Sequence, residues 1–313
     1  MLTTTRAAET AVRAKPSNRP YRVRVARVRR LSPSFVRITF TGDDLGDFAD
    51  IGYDQRLKVV LPIDGTGYET FPQGEWWPAW RDLPDHERNT LRTYTARAIR
   101  RHLDEVDVDF VVHGDAGPAS AWVSSARVGD ELMLIGPDAT SGLAGGGVEW
   151  NPGTASTVLL AGDETAAPAI CAILEQLPRD ARGCVFIEVP TAQDELDVNA
   201  PVGVDVHWIP RERTGAAYGD EVIAAVRAWT ARYVAAWHRG VDVVDVDVDH
   251  DILWDVPAGA DRHGSAIEGD FYAWFAGEAG AIKTLRRFLV SEVGIDRRQV
   301  AFMGYWRQGR SEN

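Results

Sequence analysis

The hydrophobic rhythm of this chain changes once, and that change constrains the fold more than any other feature. From Tyr21 to about Ile135 apolar and polar residues alternate with period two, as in Tyr21-Arg22-Val23-Arg24-Val25 and Phe35-Val36-Arg37-Ile38-Thr39-Phe40. Such alternation belongs to strands with one face buried and one solvated, the pattern of antiparallel sheets. Strands are expected at Tyr21 to Val28, Phe35 to Phe40, Leu57 to Leu61, Leu91 to Ile99, Glu105 to His113 and Glu131 to Ile135. Short strands between Gly, Pro and Asp turns predict a barrel or sandwich.

Around Gly142 to Gly153 the chain is Gly-rich and loses periodicity, which places a domain linker there. Beyond it, Ser156-Thr157-Val158-Leu159-Leu160-Ala161 is continuously apolar, as a parallel strand buried on both faces must be. Further strands are expected at Gly183 to Val189, Val204 to Ile209, Phe271 to Ala276 and Val300 to Tyr305. Helices are expected at Ala169 to Leu177, Tyr218 to Trp237 and Ala281 to Val293. Strand and helix in alternation predict a doubly wound α/β domain, with ligands beyond the carboxyl ends of its strands. A chain of 313 residues suits two such domains. The expected division is a disordered leader over 1–20, a β-barrel over 21–152 and an α/β domain over 153–313.

Two segments break the pattern. Asp64 to Asn89 is a long irregular insertion carrying Trp76, Trp77 and Trp80, either a lid over a ligand or a surface excursion. Val241 to Asp255 alternates Asp with Val and Ile beside His238, His250 and His263, and is expected to be an acidic surface hairpin or loop. Its spacing matches no metal-ligand pattern.

A formal net charge of −12 argues against nucleic acid, whose phosphates need clustered Lys and Arg. The two cysteines, Cys171 and Cys184, lie in apolar surroundings and make neither a disulfide framework nor a four-thiolate cluster, as in a reducing cytoplasm. No apolar run approaches the ~20 residues needed to span a bilayer. Nothing demands more than a monomer.

Chemistry concentrates elsewhere. Arg92-Thr93-Tyr94-Thr95-Ala96-Arg97 can lay a ring and a hydroxyl against a planar cofactor while its arginine pairs with a pyrophosphate. About twenty residues later, His113-Gly114-Asp115-Ala116-Gly117-Pro118-Ala119-Ser120-Ala121-Trp122 offers backbone N–H groups at a helix start, where phosphate binds well. Gly-x-Gly-x-x-Gly is absent from the first turn of the second half, Ala161-Gly162-Asp163-Glu164-Thr165. The turn Ala276-Gly277-Glu278-Ala279-Gly280 carries small residues that let a nucleotide approach, or is ordinary connection geometry. Gly304-Tyr305-Trp306-Arg307 combines rings and a cation that can hold a planar, anionic group, or anchor a terminal strand. No nucleophile and base are arranged for covalent catalysis, which suits an enzyme whose cofactor carries the chemistry.

Taken in order, these motifs with Ile187-Glu188-Val189 resemble the siderophore-interacting proteins, flavin-dependent ferric-siderophore reductases of the ferredoxin-reductase superfamily, over roughly Tyr21 to Arg310. The resemblance implies an FAD-binding barrel and an NAD(P)H-binding α/β domain, with NADPH or NADH as donor. It implies that Arg92, Thr93, Tyr94, Thr95, His113, Gly117, Ala119 and Ser120 hold FAD. Asp163, Thr165 and Glu278 are implied to line the flavin and nicotinamide side. It further implies basic residues for an anionic ferric siderophore. Lys58, Lys283 and Arg307 are the candidates, the two lysines being conspicuous in a chain whose third is Lys15. Arg211 and Arg213 are possible contacts for a 2′-phosphate. The rivals are a reductase of free flavin, a quinone or a protein, with ferredoxin as a possible partner, and a ferric-chelate binder that is not an enzyme. The acidic segment and the Trp-rich insertion depart from the expected pattern.

Overall fold

The structure is a computed structural model that describes residues 17–112, 117–142, 146–234, 253–257 and 270–309. The alternating half forms a seven-stranded antiparallel sheet in the order β4-β3-β7-β1-β2-β6-β5. Its strands are β1 (Asn18–Arg30), β2 (Phe35–Thr41), β3 (Arg56–Val60), β4 (Leu91–Thr95), β5 (Ala98–Arg100), β6 (Glu105–Val111) and β7 (Glu131–Pro137). Their inward residues, among them Tyr21, Val23, Ile38, Phe40, Leu57, Val59, Val108, Phe110 and Leu134, make one core.

The single strand expected from Leu91 to Ile99 is two. At Ala96 and Arg97 successive backbone N–H groups turn to different strands, Ala96 to Gln55 O at 2.8 Å and Arg97 to Asp107 O at 2.9 Å. The chain thereby crosses from the β3 edge to the β6 edge, and two residues bring the two edges of the sheet together. Period-two patterning persists across such a crossing, so the sequence does not reveal it.

The second half is a six-stranded sheet in the order β10-β9-β8-β12-β13-β11. Strands β8 (Thr157–Gly162), β9 (Arg182–Val189), β10 (Gly203–Pro210), β12 (Phe271–Glu278) and β13 (Val300–Trp306) run parallel, and the two-residue β11 (Trp254–Asp255) pairs antiparallel with β13. Helix α3 (Ala167–Gln176) covers one face through Ile170, Ile173 and Leu174. Helices α4 (Asp220–Val234) and α5 (Ala279–Arg286) cover the other through Val222, Val226, Ile282 and Leu285. With strands on both faces buried, continuous apolar runs are what this sheet requires. Strand order reverses between β8 and β12, so the ligand crevice of such a sheet lies beyond their carboxyl ends.

Other expectations shift in detail. The helix begun at Ala281 starts at Ala279, and after Arg286 it widens into a looser turn over Arg287–Glu292. The Trp-rich insertion is ordered: Tyr68, Phe71 and Trp76, on and before α1 (Trp76–Arg81), are buried against Val60, Met133 and Ile135 on the outer face of the barrel. Most of the acidic segment lies outside the described residues. Asp255 does not sit on the surface as expected; it is buried, accepting from Arg286 Nε at 2.8 Å and Arg297 Nη2 at 2.9 Å.

The halves are joined by buried polar contacts. The Asp54 carboxylate, before β3, accepts from the backbone N–H of Glu149 and Trp150 and from Trp274 Nε1 on β12 at 3.1 Å. Burial pushes its pKa up to about 6. Asp194, after β9, accepts from Ser32 Oγ at 2.6 Å, Ser34 N at 2.8 Å and Ser34 Oγ at 3.0 Å.

Candidate active site

Pairing of β3 with β4 sets the first wall. Leu57 stands opposite Tyr94, Lys58 opposite Thr93 and Arg56 opposite Thr95. Leu57 belongs to the barrel core, and Tyr94 packs against that core with its ring 4.5 Å from Phe110. Successive side chains alternate across a strand, so Arg92 shares the Tyr94 side and Thr93 and Thr95 take the other. Thr93 is exposed and accepts from Lys58 Nζ at 3.2 Å, whereas Thr95 is buried. Arg92 is half-buried, with Nη1 donating to the Leu91 carbonyl at 2.8 Å. The four residues of the motif therefore serve two faces.

Rings carry the wall to the second motif. Phe110 on β6 lies between Tyr94 and Trp122, whose centroid is 6.5 Å away on α2 (Pro118–Ser125). Gly117 precedes that helix with φ +97°, and a Cβ there would meet nothing within 4 Å. Proline at the first helical position pre-sets φ and removes a donor that would be orphaned. Among the described residues no side chain caps the helix start, which offers the N–H groups of Ala119 and Ser120 to an acceptor. An open, uncapped helix start beside a ring-bearing strand with a guanidinium fits a flavin diphosphate. His113 lies outside the described residues.

In the second domain one carboxylate organises the crevice. Asp163, after β8, is buried and engages both oxygens. Oδ1 accepts from Thr165 N at 2.9 Å and Thr165 Oγ1 at 2.5 Å, while Oδ2 accepts from Glu278 N at 2.7 Å and Trp306 Nε1 at 2.8 Å. It thus ties the ends of β8, β12 and β13. Burial, with the nearby Glu164 carboxylate, pushes its pKa up to about 7. Glu278 caps α5, accepting from Ala281 N at 2.9 Å. Asp163, Thr165 and Glu278 therefore shape the turns with the very groups expected to face a ligand.

Beside them lies a buried cluster that ties Arg211 to two carboxylates. The Glu164 carboxylate accepts two bonds from Arg211, at 2.7 and 2.8 Å, and one from Tyr218 Oη at 2.6 Å. Glu188 accepts from Arg211 Nη1 at 3.2 Å and from Gly219 N at 3.1 Å. Desolvation holds the Tyr218 hydroxyl protonated far above its usual range and raises Glu188 as well. Tyr218 meets Trp306 edge to face at 4.9 Å. The signal was present: Glu188 is a lone carboxylate inside the apolar run of β9, and a charge there needs a partner. Arg213 pairs instead with Glu195 at 3.5 Å. Lys58 on β3, Lys283 on α5 and Arg307 after β13 are each half-buried.

Comparison with known proteins gives the same two parts. Residues 24–141 match the siderophore-interacting FAD-binding domain, and residues 155–309 match the siderophore-interacting protein family. The chain belongs to the siderophore-interacting protein family.

Among its relatives, an uncharacterized protein of Mycobacterium tuberculosis (strain ATCC 25618 / H37Rv) is 31% identical, with 92% of this chain and 90% of the relative covered. The ferric vibriobactin reductase ViuB of Vibrio cholerae is 29% identical over 91% of this chain and 89% of its own. A crystal structure of a siderophore utilization protein from T. fusca superposes with TM-score 0.66 at 28% identity, covering 95% of this chain and 96% of that one. In this siderophore-interacting protein the FAD-binding match covers Lys58, Arg92, Tyr94 and α2, and the second match covers the Asp163 crevice.

Proposed function

We propose that this protein reduces ferric siderophores, taking electrons from NADH or NADPH through FAD. The observation that supports the reading is the run of rings from Tyr94, which shares a strand face with Arg92, through Phe110 to Trp122 on α2. Arg92 pairs with the diphosphate, the N–H groups of Ala119 and Ser120 donate to it, and Tyr94 supports the ring system. FAD supplies the exchange between a two-electron hydride donor and one-electron iron(III). The crevice held open by Asp163 takes the nicotinamide, and Lys58, Lys283 and Arg307 attract the anionic chelate. Iron(III) is bound by hard oxygen donors, and reduction weakens those bonds so that iron(II) leaves.

NADH is the preferred donor in this reading. Arg211, one of two arginines after β10, is already taken up by Glu164 and Glu188, so it has no charge to offer a 2′-phosphate. The protein acts as a monomer in the cytoplasm. Among the described residues no helix is long and apolar enough to cross a membrane.

The test is an anaerobic absorbance titration with NADH and separately with NADPH, followed by one addition of a ferric siderophore. Bleaching of a flavin band by NADH and its recovery as iron(II) forms is the expected result. Flavin that neither nucleotide bleaches overturns the donor assignment and points to a ferredoxin. Flavin that bleaches but is not reoxidised by the chelate overturns the substrate.

A further inference from the structure

The polar contacts that join the two domains are not equivalent. Asp194 ties the turn between β1 and β2 to the segment after β9, and Arg97 reaches Glu175 on α3. Neither of these contacts involves β12, the strand that ends at the crevice. Asp54 does reach it. Its Oδ2 accepts from Trp274 Nε1 on β12 at 3.1 Å, and its Oδ1 accepts from Trp150 N of the linker at 3.0 Å. Both Asp54 and Trp274 are fully buried.

From Asp54 the chain leads at once to the flavin wall. Gln55 O accepts from Ala96 N at 2.8 Å, and Arg56 stands opposite Thr95. From Trp274 the chain leads to the crevice. Gly277 lies three residues on, about 10 Å along a strand, and the next N–H, of Glu278, donates to Asp163. One carboxylate therefore connects β4, through the start of β3, with the turn that follows β12.

The loop that carries Asp54 is held in an unfavourable shape. Tyr53 has φ +54°, which is uncommon for a bulky side chain, and its ring packs 6.3 Å from that of Trp150. A Cβ on Gly52 would lie 2.2 Å from Gln176 Oε1 of α3. Trp150 in turn meets Tyr272 of β12 edge to face at 5.2 Å, and Arg56 Nη2 donates to the Glu149 carboxylate. Strain of this kind persists only where the surroundings over-determine it, and it clusters where geometry serves function.

We infer that Asp54 is a positioning residue for hydride transfer: by holding Trp274 and the linker it fixes how far the nicotinamide crevice stands from the flavin wall. This rests on the reductase reading and adds a residue to it. In that step NADH becomes NAD+ and FAD becomes FADH−, and the reacting atoms must come within about 3–3.5 Å of each other. A misplacement of about 1 Å costs on the order of a hundredfold in rate. Buried between the domains, Asp54 acts through β3 and β12 rather than on either cofactor.

The test compares the FAD-loaded parent with Asp54→Asn, Trp274→Phe, the double variant and Asp194→Asn. In Asp54→Asn the amide oxygen keeps the linker N–H groups, but its NH2 group meets the Trp274 N–H donor to donor. Trp274→Phe removes the indole donor and spares the carboxylate, so the contact is tested from either side. Each protein is reduced with dithionite and titrated with NAD+, and absorbance beyond the flavin bands is followed. A charge-transfer band there needs the two ring systems in overlap, while the titration midpoint reads affinity. Rapid mixing of the oxidised proteins with NADH or NADPH gives the bleaching rate. Both single variants are expected to keep their flavin and an NAD+ midpoint within threefold of the parent's. Their charge-transfer absorbance falls at least threefold, and bleaching at saturating nucleotide slows at least tenfold. The double variant stays within twofold of the slower single one, because both break one contact. Asp194→Asn, which loosens the other link between the domains, stays within twofold of the parent in both optical measurements. Single variants with the parent's band and rate overturn the inference, as do additive losses in the double variant or an equal loss in Asp194→Asn. A parent whose flavin neither nucleotide bleaches overturns the donor reading, and the inference with it.

Discussion

Arg97 of the barrel grips Glu175 of α3 with both terminal nitrogens, at 2.5 and 2.7 Å, while its Nε lies 3.7 Å from the buried Asp109. One guanidinium is thus shared between a carboxylate of each domain. Arg37 holds the other side of Asp109 at 2.6 and 2.7 Å, so the network is anchored in the sheet. The last residue of the Arg92 to Arg97 run is therefore a strut between domains. Arg97→Ala leaves Glu175 unpaired and Asp109 with one cation fewer. A loss of about 2–3 kcal/mol is expected, from hydrogen bonds to charged groups, read as a lower denaturation midpoint with flavin still bound. Glu175→Gln, which keeps the shape, costs about 1 kcal/mol. Unchanged midpoints for both would sink the strut.

Asp163 makes stability depend on pH with an unusual sign. Burial disfavours its charged form, so its pKa stands at about 7 in the folded chain against 3.8 for an ordinary aspartate carboxyl. Between those values the folded state holds a proton that the unfolded state has lost, and stability falls as pH rises through that window, then levels above it. Asp54, raised to about 6, acts in the same direction over a shorter range. Asp194 opposes both. Burial raises its pKa, but bonds from Ser32, Ser34 and Thr191 outweigh this and hold it low. Its stabilisation is present above the unfolded pKa and fades as pH falls through the folded one. Melting temperatures of the parent and Asp163→Asn across this range should differ in slope, the variant being flatter. Parallel curves would remove Asp163 as the cause.

Much of this follows from residue pattern alone, because burial imposes it. Period two in β1, and continuous apolar runs in β8 and β9, are direct records of one buried face or two. The helix start after Gly117 was readable because Pro118 pre-sets the first helical φ. What pattern does not record is pairing between distant carboxylates and cations. Arg211 read as a phosphate contact; that it lies between Glu164 and Glu188 depends on three strand ends meeting. Asp54 gave no signal, since its partners are two backbone N–H groups of the linker and an indole of β12.

Flavin retention separates the two faces of β4. Arg92→Ala removes the planar donor pair for the diphosphate, and Tyr94→Ala also uncovers Phe110. Both are expected to purify with less than a tenth of the parent's flavin absorbance per protein. Thr93→Ala, on the exposed side with Lys58, keeps its flavin within twofold. Full flavin in the first two variants would remove the site from this strand.

Gly277 tests the crevice without touching the barrel. Its φ is +144°, a region that L side chains rarely adopt, and a Cβ there would lie 2.5 Å from Asp163 Oδ2 and 2.8 Å from Asp163 Cγ. The strand is irregular at this point, its register with β13 shifting between Gly277 and Glu278. Gly277→Ala must push Asp163 away from Glu278 N and Trp306 Nε1, at a cost of about 1–3 kcal/mol for the backbone alone. Because the displaced groups belong to the second domain, FAD content should hold while the KM for NADH rises at least tenfold. A variant that loses flavin together with nucleotide affinity would show that the crevice and the flavin wall are one unit. An unchanged KM would place the nicotinamide elsewhere.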